Sequence, residues 1–264
     1  MNDSVLLARD GPVATLTLNR PAALNVLDLA MVDALVPATA EVAAATALRV
    51  LVVRGAGKHF MAGGDIRTFA RSLDRGPAER EREFAHLLER VHTVVETLAR
   101  MPQPVVARVH GAVAGFGLSL MNACDLAIAS DDAYFAGAYR QLAVTPDGGG
   151  TWSLPRIVGQ RRALEILLLS ERFDAARALE LGLVNRVVPA QDLDATVERV
   201  VNALVEGPRE ALAGTKRLVR GSFDRTLAEQ LRAEAASFAQ LTGRDDFVEG
   251  VRAFLDKRSP RFRD

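Results

Sequence analysis

Short strands and helices alternate along this chain as far as about residue 190, and after that helices follow one another. No other feature constrains the fold as much. Strands separated by helices form a largely parallel sheet, because two parallel neighbours need a crossover between them. Residues 13–19 alternate polar and apolar side chains, the period of a half-buried strand. Asp10-Gly11 ahead of them reads as a hairpin turn, with residues 5–8 as the first strand. Residues 49–54 and 105–109 are apolar, β-branched runs, the mark of strands covered on both faces. Further strands are read at 126–129, 133–135 and 183–188. Asp28 caps a helix running to about residue 47, with Pro37 as a kink or interruption. The charged stretch 72–82 reads as an exposed loop or helix start, ahead of a helix over 83–100. Helices are also expected over 116–123, 160–170, 174–181, 193–205, 209–219, 226–241 and 245–256. The fold class is therefore α/β, with a core over 1–190 and a helical region over 191–264.

Charge and cysteine content narrow the function. Of 264 residues, 33 are Lys or Arg and 33 are Asp or Glu. That balance lacks the basic surplus a general nucleic-acid binder needs to meet phosphate. It also permits self-association, since there is no net charge to repel a second copy. The single cysteine, Cys124, rules out an internal disulfide framework and a multi-cysteine zinc site, and reads as a core thiol. A reducing cytoplasm fits. Residues 1–12 do not read as a signal peptide, and no run of 18 apolar residues lacks a charge, so no membrane partner is expected.

Three glycine-bearing segments stand where a strand or loop hands over to a helix: Lys58-His-Phe-Met-Ala-Gly-Gly-Asp-Ile66, His110-Gly-Ala-Val-Ala-Gly-Phe-Gly-Leu-Ser-Leu120 and Thr145-Pro-Asp-Gly-Gly-Gly-Thr-Trp152. Ligands of α/β proteins settle at such edges, where backbone N–H groups are free. None of the three is a common glycine motif. Gly57-Lys58 is followed by His59, which breaks a phosphate-binding loop. Gly115-Phe-Gly117 leads to Leu120, where the dinucleotide fingerprint needs a third glycine. Gly117-Leu-Ser119-Leu ends in Met121, which breaks a hydrolase elbow. No metal motif is present. What is left are turns that offer N–H donors to a neutral or developing anionic oxygen.

At this point the sequence resembles the enoyl-CoA hydratase/isomerase (crotonase) superfamily. The resemblance rests on Asn19-Arg-Pro with Asn25, Met61-Ala-Gly-Gly-Asp65, Gly111 with Gly115-Phe-Gly117, Cys124-Asp125, Pro146-Asp-Gly-Gly and the ending from Asp245 to Pro260, all in the family's order. Gly148-Gly-Gly-Thr-Trp152, Leu154-Pro-Arg156 and Phe254 with Lys257-Arg-Ser-Pro260 are most similar to the ring-epoxide isomerases of phenylacetate degradation and to enoyl-CoA isomerases. The resemblance implies a spiral of β-β-α units with a C-terminal helical trimerisation region. It also implies an acyl-CoA thioester substrate and an oxyanion hole of two backbone N–H groups, at the matching positions Ala62 and Phe116. Phe116 suits that role on physical grounds too, since it lies in the first turn of a helix, where the N–H has no intrahelical partner. Gly63, Gly64, Asp65, Ile66 and Gly115 complete the two segments around the thioester.

Hydratases of the family carry two glutamates, and the matching positions here are Ser119 and Tyr139. Adding water to a double bond needs one group to activate water and another to deliver a proton, and unperturbed hydroxyls are poor at both. Asp147, beside Pro146, occupies a position at which certain isomerases and an aryl-CoA dehalogenase of the family keep a catalytic aspartate. One carboxylate is enough to move a proton between two carbons. Asp147 also reads as a helix cap, a role compatible with catalysis. The expectation is an acyl-CoA isomerase in which Asp147 is the proton shuttle. A hydratase with a rearranged acid/base set and a non-catalytic acyl-CoA binder are the alternatives.

The resemblance puts the adenine end of CoA near Ala23 and Leu24, with Lys58, Arg20 and Lys257 as candidates for its phosphates. It implies neither a metal nor a separate cofactor, CoA being part of the substrate. Tyr139 is read as lining the acyl pocket. His86 and His92 lie in the variable segment over that pocket, where a histidine is either a helix-surface group or an activator of water. His59 and His110 read as structural, and Asp65 as orienting its loop. The expected assembly is a homotrimer or a dimer of trimers. Leu212, Leu218, Leu231, Phe238, Phe247 and Phe254 suit either that interface or a monomer core.

Overall fold

The computed structural model describes residues 3–263; Met1, Asn2 and Asp264, which fall within the terminal stretches read above, lie outside the described residues. The hairpin forms as its pattern dictates. β1 (Val5–Asp10) pairs antiparallel with β2 (Val13–Leu18), Asp10 stands opposite Val13, and Gly11 takes the positive φ of +52° that the turn requires. α1 (Leu29–Ala44) starts where Asp28 accepts the Met31 N–H at 2.8 Å, and it continues through Pro37. β3 (Val50–Gly55), α2 (Ile66–Arg71), α3 (Pro77–Arg100), β4 (Val105–Val109) and β5 (Ala112–Ala114) follow. Next come α4 (Phe116–Ala123), β6 (Leu126–Ser130), β7 (Tyr134–Ala136), α5 (Gly150–Val158), α6 (Gln160–Leu169), β8 (Phe173–Asp174), α7 (Ala175–Glu180) and β9 (Arg186–Val188). The chain ends in α8 (Leu193–Val205), α9 (Arg209–Arg220), α10 (Leu227–Thr242) and α11 (Asp245–Leu255).

The strands build a six-stranded sheet in the order β1-β2-β3-β4-β6-β9, parallel after the first pair, and a three-stranded sheet β5-β7-β8. Period-two alternation explains the apolar runs. Leu51, Val53, Val105 and Ala107 belong to the main core with Met31, Leu35 and Leu98. Their sequence neighbours Val50, Val52 and Val106 pack with Ile128 against Leu193, Val197 and Val201 of α8. So α8, although it follows residue 190, covers one face of the sheet.

Several elements differ from the expected ones, among them α3, β5 and α2. α3 begins at Pro77, six residues early, because Gly76 and Pro77 supply an extended cap and a preset first helical φ. β5 is only three residues long, below what alternation reveals, and α2 is a six-residue helix capped by Asp65.

One buried ionic knot ties the helical end to the sheet. The Lys216 ammonium donates to Leu98 O (2.9 Å) and Gln103 O (3.0 Å) and lies 2.7 Å from Asp125 Oδ2. Arg220 donates to Asp125 Oδ1 (2.9 Å), Ala123 O (2.7 Å) and Cys124 O (3.0 Å). Asp125 also accepts the Val105 N–H that opens β4, at 2.8 Å. Burial pulls the Lys216 pKa down, against the partly restoring charge of Asp125. Beyond the knot the apolar side chains turn outward: Phe238 is 70% and Phe254 84% exposed on the single chain, which removes the monomer-core reading for them. Among the described residues no helix is long and apolar enough to cross a membrane.

Replacing Asp125 with Ala leaves the Lys216 charge buried without its counter-ion, a loss that costs about 3–5 kcal/mol when the pair is buried. The expected result in thermal or denaturant unfolding is a loss of about 3 kcal/mol. A change below about 1 kcal/mol would show that the knot contributes little.

Candidate active site

Two backbone segments meet at the edge of the sheets. Met61 bridges to Val113, with Met61 N–H donating to Ala112 O (3.0 Å) and Ala114 N–H to Met61 O (3.0 Å). Their approach leaves no space for side chains. A β-carbon on Gly117 would lie 2.2 Å from Met61 O, and one on Gly63 would lie 3.3 Å from Ala114 O. Gly63 (φ +93°) and Gly115 (φ +54°) also need the left-handed region.

The N–H groups of this junction are not equivalent. Ala62 N–H donates to Leu24 O at 3.1 Å, so it is not open to a ligand, and the expected pairing of Ala62 with Phe116 is corrected on that ground. The parallel bridge between Leu27 and Gly64 uses Gly63 O (2.8 Å) and Asp65 N–H (2.8 Å). In such a bridge the middle residue faces away from the partner, so Gly64 N–H points away from Leu27. It has no acceptor among the described residues. Phe116 N–H, the first of α4, has none either. Gly64 and Phe116 thus each present a free donor, one from each segment.

Asn25, which is fully buried, ties the 19–25 segment to this junction. It accepts Arg20 N–H (2.9 Å) and donates to Ala56 O (2.9 Å) and His59 O (2.7 Å). It holds the Ala23–Leu24 turn against the strand-end loop, and Leu24 reaches Ala62. Asp65 does the orienting work expected of it. It caps α2 through Arg67 N–H (2.9 Å) and accepts from Arg20 (2.8 Å). Burial raises its pKa, but the hydrogen bonds from Arg20 and Arg67 N–H outweigh that, and the carboxyl lies below its ordinary value. Arg20, also paired with Asp28 at 3.2 Å, is occupied. Lys58 and Lys257 are exposed and have no ion-pair partner among the described residues.

The third segment closes over α4. Ser119, on the first turns of α4, donates to Asp147 O at 2.9 Å, and its Oγ lies 3.4 Å from Tyr139 Oη. Tyr139 Oη donates to Asp147 Oδ1 at 2.6 Å. Burial raises the Asp147 pKa above its ordinary value, with the Tyr139 hydrogen bond and the His92 charge working against it. Pro146 and Gly148 bracket this carboxylate. A β-carbon on Gly148 would meet the Phe116 ring at 2.7 Å. A cavity of about 680 Å3 is lined by Val95, Ser119, Asn122, Gly148, Gly149 and Trp152 together with the basic side chains of Arg100, Lys216, Arg217 and Arg220; Gly64, Phe116 and Asp147 do not line it. Its volume is within the size range of small-molecule sites.

The remaining candidates lie elsewhere or do structural work. His110 contacts Gly57 O (3.0 Å) and Arg108 (3.0 Å), and burial lowers its pKa. His59 accepts Ala112 N–H at 3.0 Å. His86 is exposed beside Glu89. Burial pushes the Cys124 thiol up to about 12, so it is inert. Among the described residues no group of three or more His, Cys, Asp or Glu is arranged to hold a metal ion.

Residues 8–264 match the enoyl-CoA hydratase/isomerase family. The chain belongs to that family. It is 36% identical to the 1,2-epoxyphenylacetyl-CoA isomerase of Escherichia coli (strain K12) over 265 residues, 99% of each chain. It is also 36% identical to a probable enoyl-CoA hydratase of Rhodobacter capsulatus, over 95% of this chain and 94% of the relative. The crystal structure of an enoyl-CoA hydratase from Polaromonas sp. JS666 superposes with a TM-score of 0.92 at 33% identity, covering 98% of this chain and 99% of that one. The fold is accordingly the crotonase fold of the hydratase/isomerase family, and the function is that of an acyl-CoA hydratase or isomerase.

The backbone contact at Gly117 sets a test. In Gly117→Ala the new methyl has nowhere to go, and overpacking of this kind costs about 1–3 kcal/mol. The expected result is a drop of several degrees in melting temperature. Gly243→Ala, whose β-carbon would find its nearest neighbour at 3.6 Å, is expected to melt like the parent. Equal melting of the two variants would mean that the junction is not tight.

Proposed function

We propose that this chain is an acyl-CoA isomerase, acting on a double bond or a ring epoxide of a CoA thioester, with Asp147 as proton shuttle. The observation that carries the reading is the chemistry around Asp147. It is a partly buried carboxylate held by Tyr139, next to Gly148, which packs on the Phe116 ring, and the two positions where hydratases of the family hold glutamates are the hydroxyls Ser119 and Tyr139. The likeness to the epoxyphenylacetyl-CoA isomerase supports it, while the hydratase names among the relatives keep hydration as the second reading.

In this reading the thioester oxygen lies between Gly64 N–H and Phe116 N–H. To move a double bond, ionised Asp147 removes a proton from carbon. The C–H electron pair delocalises onto the thioester oxygen as an enolate, held by the two donors and by the N-terminus of α4. Asp147 then returns the proton to another carbon and the oxygen gives its electrons back. Nothing is oxidised or reduced, so the reaction asks for no redox cofactor. The acyl group takes the cavity beside Ser119 and Gly148, the adenine end of CoA takes the Ala23–Leu24 turn, and Lys58 and Lys257 meet its phosphates. The outward-facing Phe238, Phe254 and Leu231 support a homotrimer or dimer of trimers.

Assays with 3-enoyl-CoA, 2-enoyl-CoA and a ring-epoxide CoA thioester test the reading. Isomerisation by the parent is expected to fall by about 10²–10⁴-fold in Asp147→Asn, with acyl-CoA binding retained. Fast hydration of 2-enoyl-CoA without isomerisation would establish the hydratase reading instead. Tight binding with no turnover of any substrate would leave a binding protein.

A further inference from the structure

We infer that Tyr139 is a positioning residue for Asp147: its hydroxyl holds Oδ1 and leaves Oδ2 as the oxygen that exchanges the proton with substrate. The inference rests on the shuttle role proposed above and goes beyond it by assigning work to a residue read only as pocket lining.

The hydrogen-bond order is fixed by what each hydroxyl can reach. Tyr139 is buried, at 8% exposure, so its Oη must find partners inside the protein. The partner is Asp147 Oδ1 at 2.6 Å, and Ser119 Oγ lies 3.4 Å away. The Ser119 proton is committed to Asp147 O at 2.9 Å, which also accepts Gly150 N–H at 2.9 Å. The main chain of Asp147 is therefore pinned from α4 and from the start of α5, and its carboxyl is pinned from Tyr139. Oδ2 has no side-chain donor among the described residues.

Tyr139 does not compete for the transferred proton. Burial first, then the Asp147 charge, raises its pKa far above the ordinary phenol, so the hydroxyl stays protonated through the working pH range. It acts as a permanent donor to the ionised carboxylate. The titratable groups that act on Asp147 among the described residues are Tyr139 and, from α3, His92. Both favour its ionised form against burial. The two positions at which a hydratase holds its water thus serve to hold a different carboxylate.

Removing the donor has a signed consequence. A hydrogen bond to the charged form lowers an acid's pKa, so Tyr139→Phe raises that of Asp147. Asp147 must be ionised to accept a proton, so the acid limb of kcat/KM moves to higher pH, by about one unit for a charge-assisted bond. We expect kcat to fall about tenfold and KM to move less than about twofold, because the lost contact is to the base and not to CoA. Two further measurements keep the test sharp. Tyr134 and Tyr139 are the two tyrosines of the chain, so fluorotyrosine incorporation keeps every ring while strengthening the donor. The acid limb is then expected to move to lower pH, and a Tyr134→Phe background isolates the effect at Tyr139. Titration of 13C-labelled aspartate, with the Asp147 signal assigned by its loss in Asp147→Asn, reads the same shift without turnover. An Asp147 midpoint that is equal in the parent, Tyr139→Phe and fluorotyrosine proteins overturns the positioning role. Full activity in Asp147→Asn overturns the shuttle role instead, and the titration still reports on Tyr139.

Discussion

Between Met61 and Gly117 main chain lies on main chain, with 2.2 Å where a β-carbon would have to fit. Everything at the site depends on that contact. It brings the end of a strand-like segment and the first turn of α4 together, with N–H groups left unpaired at Gly64 and Phe116, the two that serve one oxygen in the proposed reading. Side-chain donors would adapt to a ligand and pay rotamer entropy on doing so, whereas backbone donors fixed by two bridges are set before it arrives. The surrounding side chains keep the contact closed. Asn25 ties the neighbouring turn to the loop by three hydrogen bonds, and Asp65 anchors α2 with Arg20.

The acid/base side has a different logic. Burial penalises the charge of Asp147, and a tyrosine hydroxyl and the field of a histidine work against that penalty. In the proposed reading this one carboxylate moves a proton within a single substrate, whereas the addition of water calls for a second group.

Much of this was legible in the sequence, for identifiable reasons. The β3 and β4 runs could be read because strands covered on both faces must be apolar at every position, and α1 could be placed because Asp28 is a good cap. Asp147 and Phe116 were named from their places in motifs that resemble the family's. Gly64 was read only as part of the segment around the thioester and Ala62 was named as the donor, since which N–H is free depends on Leu24 and Leu27, about 40 residues away, and no local pattern encodes that pairing. β5 and β8 were too short for alternation to register. Tyr139 could be seen as a non-glutamate, but its bond to Asp147 follows from the path of the loop between them.

The knot of Asp125 with Lys216 and Arg220 also bears on how the chain comes to fold. Asp125 and Arg220 are 95 residues apart in sequence. As the polypeptide leaves the ribosome, β1 to β4, α4 and β6 are made well before α9. Until then the Asp125 carboxylate, seated at the opening of β4, is without its two cations, and burying it alone would carry the cost of an unpaired charge. The arrival of a helix near the end of synthesis completes the strand edge and, through Ala123 and Cys124, the far end of the helix whose first turn binds substrate in the proposed reading.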